Sequence, residues 1–336
     1  MGKDIYITLD YELFLGLKTG SVENSLIMPM DELARTFDRH GVKATLFVDS
    51  SFLYALNKYR DRYSSLDKDY SRVAGQIKRL ARNGHSIQLH IHPQWYFSEY
   101  NGNEWKLNME FYKLSDVEHD LAVHYFKESK NLLESVIEKD IIGFRAGGYS
   151  IQTFKGYYDL MVTNNIRVDS SVLTGAVSHS RFQWYDYRTV PMDSPYCFEQ
   201  DIARPSDKGE VMELPITTCR FNPVHYALLR KKSDEGSFKA FSDGSSVASA
   251  LSRPRRMYDF YRQMFRTKIV PASIDSLSSY LLPLVYKKAC EESGARSFVI
   301  IGHPKSASPK SIRLTDDFIS NTVLNNEYKV IEDLLK

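Results

Sequence analysis

Three of the chain's nine histidines, His85, His90 and His92, lie in one short segment, GHSIQLHIHPQW at 84–95. Side chains two residues apart on a strand point to the same face, so His90 and His92 share a face and His85 lies on the other. Imidazole nitrogens are ligands of zinc and related divalent ions. We therefore interpret His90 and His92 as a metal-binding pair and His85 as a structural residue.

A pair of carboxylates has the same spacing. Asp10 and Glu12, in TLDYE, end a segment in which Ile5, Ile7 and Leu9 alternate with polar residues, as expected for a strand with one buried face. Two carboxylates on one face repel each other unless a cation or a proton lies between them. Together with two histidines at another strand end, they match the mixed nitrogen and oxygen ligation of zinc or a similar divalent ion.

Alternating strands and helices are predicted to position these residues. One helix begins at Pro29 and ends before Gly41, and another begins with a capping box formed by Ser115 and Glu118. The full prediction is strands at 4–12, 42–48, 85–92, 141–146, 166–169, 211–216 and 297–302, and helices at 29–40, 71–83, 115–139, 151–164 and 274–293. This order implies an α/β fold with mostly parallel strands, either a barrel or a doubly wound sheet.

The predicted strand ends carry the polar residues. In parallel α/β folds, functional side chains collect at the carboxyl edge of the sheet. Six successive strand ends carry polar or ionisable side chains: Asp10 and Glu12, Asp49, His90 and His92, Arg145, Asp169, and His303. We expect these residues to meet at one rim.

Strand signals become sparse between 175 and 270, where residues 228–268 combine Gly and Ser with many basic side chains. This region is interpreted as a mobile insertion over the substrate side or, alternatively, as a solvated loop with a surface helix. No internal repeat is present, and residues 1–336 are predicted to form a single domain.

Composition excludes several classes of protein. Lys and Arg number 44 against 42 Asp and Glu, so the overall charge does not indicate binding to nucleic acid. The N-terminal residues lack the pattern of a signal peptide, and no apolar run is long enough to span a membrane. Cys197, Cys219 and Cys290 are odd in number and far apart, which favours a reduced, cytoplasmic protein.

Five segments occur in the order of a known family: TLDYE, GHSIQLHIHP, GFRAGGYS, VDSS and VIIGHP, between residues 8 and 304. In these motifs the chain resembles the NodB-homology polysaccharide deacetylases, carbohydrate esterase family four, and in particular the bacterial branch that takes part in the synthesis of surface polysaccharides. The resemblance implies a distorted (β/α) barrel with a metal-dependent site for amide hydrolysis, here with an insertion around 175–270.

The resemblance also implies a role for each site residue. These roles are catalytic base for Asp10, orientation of that base for Arg145, general acid for His303, tuning of that acid for Asp169, and metal ligation for Glu12 and His90. The expected cofactor is one divalent ion, zinc above all, with cobalt, nickel and manganese as alternatives.

Departures from the family pattern concern the metal site most. Tyr11 stands where many members have a second aspartate, so the ligand role falls to Glu12. Gln94 stands where a second histidine is usual, and His92 is its natural replacement because it lies beside the first histidine on the strand. Gly147 replaces a common proline.

Aromatic residues near the site have open roles. No tryptophan follows soon after Asp169, so Trp95 or Trp184 is considered for the acyl pocket. The aromatic residues that follow the histidine pair, Trp95, Tyr96, Phe97 and Trp105, either stack on a sugar ring or pack in the core. Glu213 either binds a sugar hydroxyl or is structural.

The resemblance therefore implies an enzyme that removes an N-acetyl group from an amino sugar during biosynthesis of a surface polysaccharide or lipopolysaccharide. Two alternatives keep the scaffold: a deformylase or other linear amide hydrolase, and a non-catalytic carbohydrate-binding protein. The amidohydrolases also use a His-x-His strand, but theirs is normally the first strand and this one is the third.

Overall fold

A computed structural model describes residues 2–191, 195–245, 267–292 and 294–336. Its strands are β1 Asp4–Tyr11, β2 Thr45–Asp49, β3 Ser86–Ile91, β4 Glu99–Tyr100, β5 Trp105–Lys106, β6 Gly143–Ala146, β7 Val168–Asp169, β8 Val177–His179, β9 Trp184–Asp186, β10 Tyr196–Phe198, β11 Val211–Glu213, β12 Thr218–Phe221, β13 Lys268–Pro271, β14 Ser297–Gly302 and β15 Glu327–Lys329. Its α-helices are α1 Met28–Arg39, α2 Ser50–Tyr59, α3 Ser64–Arg82, α4 His119–Ile137, α5 Tyr157–Thr163, α6 Pro223–Lys232, α7 Ser276–Tyr286 and α8 Pro309–Thr322.

The main sheet has the strand order β10-β11-β7-β6-β3-β2-β1-β14, and β15 also pairs with β1. All neighbours in it are parallel except β10 and β11. Past β11, Thr217 donates its backbone N–H to the Val299 carbonyl, and Ile274 donates to that of Ile301. These bonds join the segments after β11 and before α7 to β14, so the sheet curls round on itself. The predicted α/β fold of distorted barrel type is confirmed.

Alternation along β1 separates the two sides of the curled sheet. Ile5, Ile7 and Leu9 belong to the large core that also contains the helices. The intervening positions face the interior of the barrel. There a second apolar cluster joins several strands and closes the end of the barrel opposite the rim: Tyr6, Phe47, Val168, Leu214, Val299 and Ile331. Asp10 follows in the same inward series, so the period of two delivers its carboxylate to the rim of the barrel interior.

The side chain of Tyr11 points to the opposite side of the sheet, towards the helices. Its hydroxyl donates to Gln76 Oε1 over 2.7 Å, and the Gln76 amide in turn donates to Asp31 Oδ1 over 2.7 Å. Tyr11 is therefore a buried contact between β1 and α3, on the helix side of the sheet, and it takes no part in the rim.

Some predicted element boundaries are wrong. The helix expected at 115–139 begins at His119, with Glu118 as its N-cap, and Ser115 lies in a preceding 3-10 turn where its hydroxyl contacts Thr153. The helix expected at 151–164 begins at Tyr157, directly after a left-handed glycine. The side chain of Glu118, which accepts from the N–H groups of Asp120 and Leu121, thus replaces the capping box that the sequence suggested.

The region 175–270 is more regular than expected where it is described. It contains the hairpin of β8 and β9, the strands β10 to β13 and helix α6. The predicted mobile insertion falls in part on residues 192–194 and 246–266, which lie outside the described residues. None of the helices in the described ranges combines the length and apolarity needed to cross a bilayer.

Candidate active site

The side chains of Glu12, His90 and His92 converge at the rim. Glu12 Oε2 lies 2.5 Å from His92 Nε2 and 3.5 Å from His90 Nε2, and all three side chains are almost fully buried. None of these three atoms makes a hydrogen bond of acceptable geometry with the residues that the structure describes. They lie within 4.8 Å of one another, as ligands of one metal ion would. Buried polar atoms without partners are costly, so their convergence fits a cation.

Register and turn geometry create this arrangement. Asp49 pairs with His90 across β2 and β3, and His90 pairs with Arg145 across β3 and β6. His90 Nδ1 lies 2.7 Å from the Arg145 carbonyl oxygen. An Nδ1–H that donates to this carbonyl leaves the Nε2 lone pair free for a metal, the usual arrangement around a histidine ligand. Asp49 itself caps α2, where its carboxylate accepts from the Phe52 N–H.

Asp10 is held by a buried arginine. Arg145 Nη1 donates to Asp10 Oδ1 over 2.6 Å, while its other nitrogens donate to Thr8 and Ser170. Burial opposes ionisation of Asp10, but the charge of Arg145 and of two nearby histidines outweighs it, so the pKa of this carboxyl lies below its ordinary value. Asp10 Oδ2 lies 3.6 Å from His303 Nε2. Asp10, Arg145 and His303 thus lie together at the rim, and their roles stay predictions.

His303 has a carboxylate partner, Asp275, that the sequence did not predict. Asp275 accepts from the His303 backbone N–H over 2.8 Å and lies 2.6 Å from His303 Nδ1. Burial alone would lower the pKa of His303, but the charge and hydrogen bond of Asp275 outweigh it, so this pKa is raised. Asp275 reaches this position because Ser273 is bridged in parallel to Ile301, which places both segments' carboxyl ends side by side.

Asp169 does not take the place expected for it. The predicted contact between Asp169 and His303 is wrong: Asp169 is fully buried, where it accepts from the Tyr157 hydroxyl and from the Ser171 N–H. Glu213 lies against it, and burial raises the pKa of both carboxyls, that of Glu213 most. Two carboxyl groups in contact ionise together only at high cost, so this pair shares a proton. Glu213 is accordingly structural.

A lysine also reaches the site. Lys305 Nζ donates to Glu12 Oε1 over 2.7 Å and to the Leu13 carbonyl over 3.1 Å, and it lies 5.2 Å from the centre of the Phe14 ring. Burial raises the pKa of Glu12, but Lys305 and His92 lower it well below its ordinary value. Because Lys305 occupies Oε1, Glu12 offers the histidine pair one oxygen only.

The site opens into a cleft of about 370 Å³. Its lining combines the catalytic candidates with aromatic and polar walls: Asp10, Glu12, Phe14, Leu15, His92, Tyr112, Gly148, Tyr149, Gln183, Asp275, His303, Lys305 and Ser306. Neither Trp95 nor Trp184 is among these residues. Trp95 is fully buried against Phe52 and Trp105, and Tyr96 stacks on Tyr125, so these rings pack in the core.

Ligand-type atoms of a second group, Asp10, Glu12 and His303, also lie within 4.8 Å of one another. Asp10 already forms an ion pair with the buried Arg145, whereas Glu12 Oε2 and the Nε2 atoms of both histidines are buried without a hydrogen bond in the described part of the chain. We therefore take Glu12, His90 and His92 as the set that fits a metal.

No protein-family description matches this chain, and no curated protein matches it by sequence. Solved structures do match. A protein from Mycobacterium smegmatis assigned to the polysaccharide deacetylases is 15% identical over 99% of this chain and 90% of its own, with a TM-score of 0.50. One from Pseudomonas aeruginosa with a similar assignment is 12% identical over 98% and 88%, with a TM-score of 0.49. The chain has the fold of the polysaccharide deacetylases, as the motifs predict.

Proposed function

We propose that this protein is a metal-dependent amide hydrolase that removes the N-acetyl group of an amino sugar. The observation that carries the proposal is the convergence of three buried, unpartnered ligand atoms on Glu12, His90 and His92 beside two charged pairs, Asp10 with Arg145 and His303 with Asp275. The fold of the polysaccharide deacetylases supports the same conclusion.

The donor set of one carboxylate oxygen and two imidazole nitrogens suits zinc, and cobalt, nickel or manganese would also be accepted. When bound there by Glu12, His90 and His92, a divalent ion would polarise the amide carbonyl and make a bound water more acidic. Three protein ligands leave room for water and substrate, which is typical of catalytic and not of structural sites.

Asp10 is the proposed base. Arg145 holds one of its carboxylate oxygens, Oδ1, and keeps the group ionised, so the other oxygen is available to accept a proton from the attacking water. The water oxygen then forms a bond to the amide carbon. Gly148 and Tyr149 line the same cleft, and the Gly147-Gly148 turn is the proposed source of a backbone N–H for the developing oxyanion.

His303 is the proposed acid. The amide nitrogen is a poor leaving group until it is protonated, and the raised pKa of His303 favours the form of the ring that carries a proton on Nε2. Transfer of that proton accompanies cleavage of the carbon–nitrogen bond and releases the free amine and acetate. General acid catalysis of this kind contributes about 10²–10⁴ in rate. Asp275 positions the ring through Nδ1.

We propose a substrate from the assembly of a surface polysaccharide or lipopolysaccharide, as the sequence motifs imply. Beside the charged residues of the proposed mechanism, the described lining of the cleft includes the ammonium group of Lys305 and apolar ring surface from Phe14, Tyr112 and Tyr149, which suits a ligand that has a ring of its own.

The test is acetate release from a panel of N-acetylated amino sugars, free, nucleotide-linked, lipid-linked and polymeric, by protein loaded with zinc or cobalt. We expect acetate with at least one class and none with Asp10→Asn. Formate release from N-formyl analogues alone would assign a deformylase. Binding of a glycan without any turnover by the metal-loaded protein would contradict the proposal and favour a carbohydrate-binding protein.

A further inference from the structure

Gly147 lies directly against the ring of His92. A Cβ atom built on Gly147 would come within 2.7 Å of both Cε1 and Nδ1 of His92, and within 2.6 Å of the Ile91 carbonyl oxygen. Real Cβ atoms do not approach other atoms so closely. Any side chain at position 147 would therefore displace the His92 ring or the strand end that carries it.

Conformation does not explain this glycine. The backbone of Gly147 does not have a positive φ, whereas the next residue, Gly148, has a φ of 59°. Alanine would be free to adopt the backbone conformation of Gly147, but it would be strained at Gly148. The two adjacent glycines are thus required for different reasons. Position 148 has a left-handed backbone conformation, and position 147 has no room for a Cβ atom.

His92 depends on packing more than His90 does. The His90 ring is fixed by the contact of its Nδ1 with the Arg145 carbonyl. His92 Nδ1 has no hydrogen-bond partner among the residues that the structure describes, although its ring is buried. Apart from the Glu12 carboxylate beside Nε2, its orientation is therefore set by the surfaces around it, which include the His90 ring at 4.8 Å, the Tyr112 ring at 6.1 Å and the backbone of Gly147.

We infer that Gly147 is a positioning residue for the metal site, because the space above its Cα lets the His92 ring bring Nε2 to Glu12. The inference rests on the proposed function, since it assumes that His92 is a ligand. It makes the end of β6 the common support of the site: Arg145 holds Asp10, the Arg145 carbonyl orients His90, and Gly147 makes room for His92.

The test is the affinity of the metal-free protein for zinc, measured by competition with a chromophoric chelator, together with the visible spectrum of the cobalt form. Gly147→Ala should bind zinc about 10- to 100-fold more weakly, the loss typical when support of a ligand is disturbed. Gly75→Ala is the matched control, since its Cβ would meet no atom within 4 Å, and its affinity should equal that of the parent.

A double-mutant cycle with His92→Ala isolates the cause. Because His92→Ala should itself lose the metal, the cycle is read from the Tm of the metal-free proteins: once the His92 ring is absent, Gly147→Ala should lower the Tm less than it does in the parent. An undiminished effect in that background, or a parent-like affinity of Gly147→Ala, would overturn the inference. If Gly147→Ala fails to fold, the double variant should fold at least in part, and its failure would also overturn it. A parent that binds no zinc would instead refute the proposed metal site itself.

Discussion

Replacement of Asp275 by asparagine should lower the pH at which the enzyme loses activity on the alkaline side. The carboxylate contacts both the backbone N–H and Nδ1 of His303, at 2.8 and 2.6 Å. The introduced amide would retain an acceptor for the backbone N–H but would lack the charge that stabilises the imidazolium. A hydrogen bond to a charged group contributes about 1.5–3 kcal/mol. At about 1.4 kcal/mol per pKa unit, the pKa of His303 should fall by roughly 1–2 units.

The direction follows from the role of the acid. His303 must carry a proton to release the amine, and a raised pKa keeps that proton on at higher pH. Without the charge of Asp275 the proton is lost at lower pH, so the alkaline limb of kcat/KM should move down by the same roughly 1–2 units.

The assay is a pH–rate profile of amide hydrolysis for the parent, Asp275→Asn and Asp169→Asn. Asp169 is the matched control, because the family resemblance assigns it the role that we propose for Asp275. We expect Asp169→Asn to change stability and leave the alkaline limb in place, since Asp169 contacts Tyr157 and Ser171. A shift in Asp169→Asn with none in Asp275→Asn would refute the reasoning.

Three further predictions concern single side chains. Asp10→Asn should lower kcat by at least about 10²-fold yet bind zinc like the parent, as measured by turnover and metal titration; loss of the metal would contradict its role as base. Glu213 has a raised pKa, so its contribution to stability is complete below pH 4.5 and is lost as pH rises through the folded-state pKa. Glu213→Gln should therefore flatten the fall in unfolding free energy above pH 4.5, measured by urea titration, and an unchanged slope would contradict the shared proton. Burial lowers the pKa of His85 from 6.5 to about 4, so up to about 3 kcal/mol of stability should be lost as pH falls from 6.5 towards 4, and His85→Asn should remove most of that loss in the same assay.

Period-two alternation predicted most of the rim correctly in space. It placed Asp10 and Glu12 at the end of β1 and His90 and His92 at the end of β3, and the structure brings Glu12 within 3.5 Å of both histidines. Parallel pairing explains this success, because successive strand ends must lie at one edge of the sheet. The roles of these residues remain proposals.

The partner of His303 could not be predicted in the same way. Asp275 follows a short segment, 272–274, that joins β14 through a few backbone bonds and has no clear strand pattern in the sequence. Lys305 was missed because a lysine two residues after a histidine has no pattern of its own. For Asp275, the only signal in the sequence was the serine-rich start of α7, which follows it directly. Long-range closure of the barrel, and not local propensity, positions both side chains.

Two departures from the family pattern turn out to be physically connected. His92 stands in for the histidine expected at Gln94, and Gly147 stands where proline is common. In the structure the His92 ring lies against the backbone of Gly147. A sequence shows two such changes separately, because their contact depends on the register between β3 and β6.

The most direct test of the account is the metal content of protein purified without chelators or a histidine tag. We predict about one equivalent of zinc, cobalt, nickel or manganese in the parent and in His85→Ala, and its loss in His90→Ala, His92→Ala and Glu12→Ala. His85 is the matched control, since it lies on the same strand segment but accepts a hydrogen bond from the Ala44 N–H, away from the cleft. Absence of metal from the parent, even after incubation with these ions, would contradict the metal site and with it the proposed mechanism.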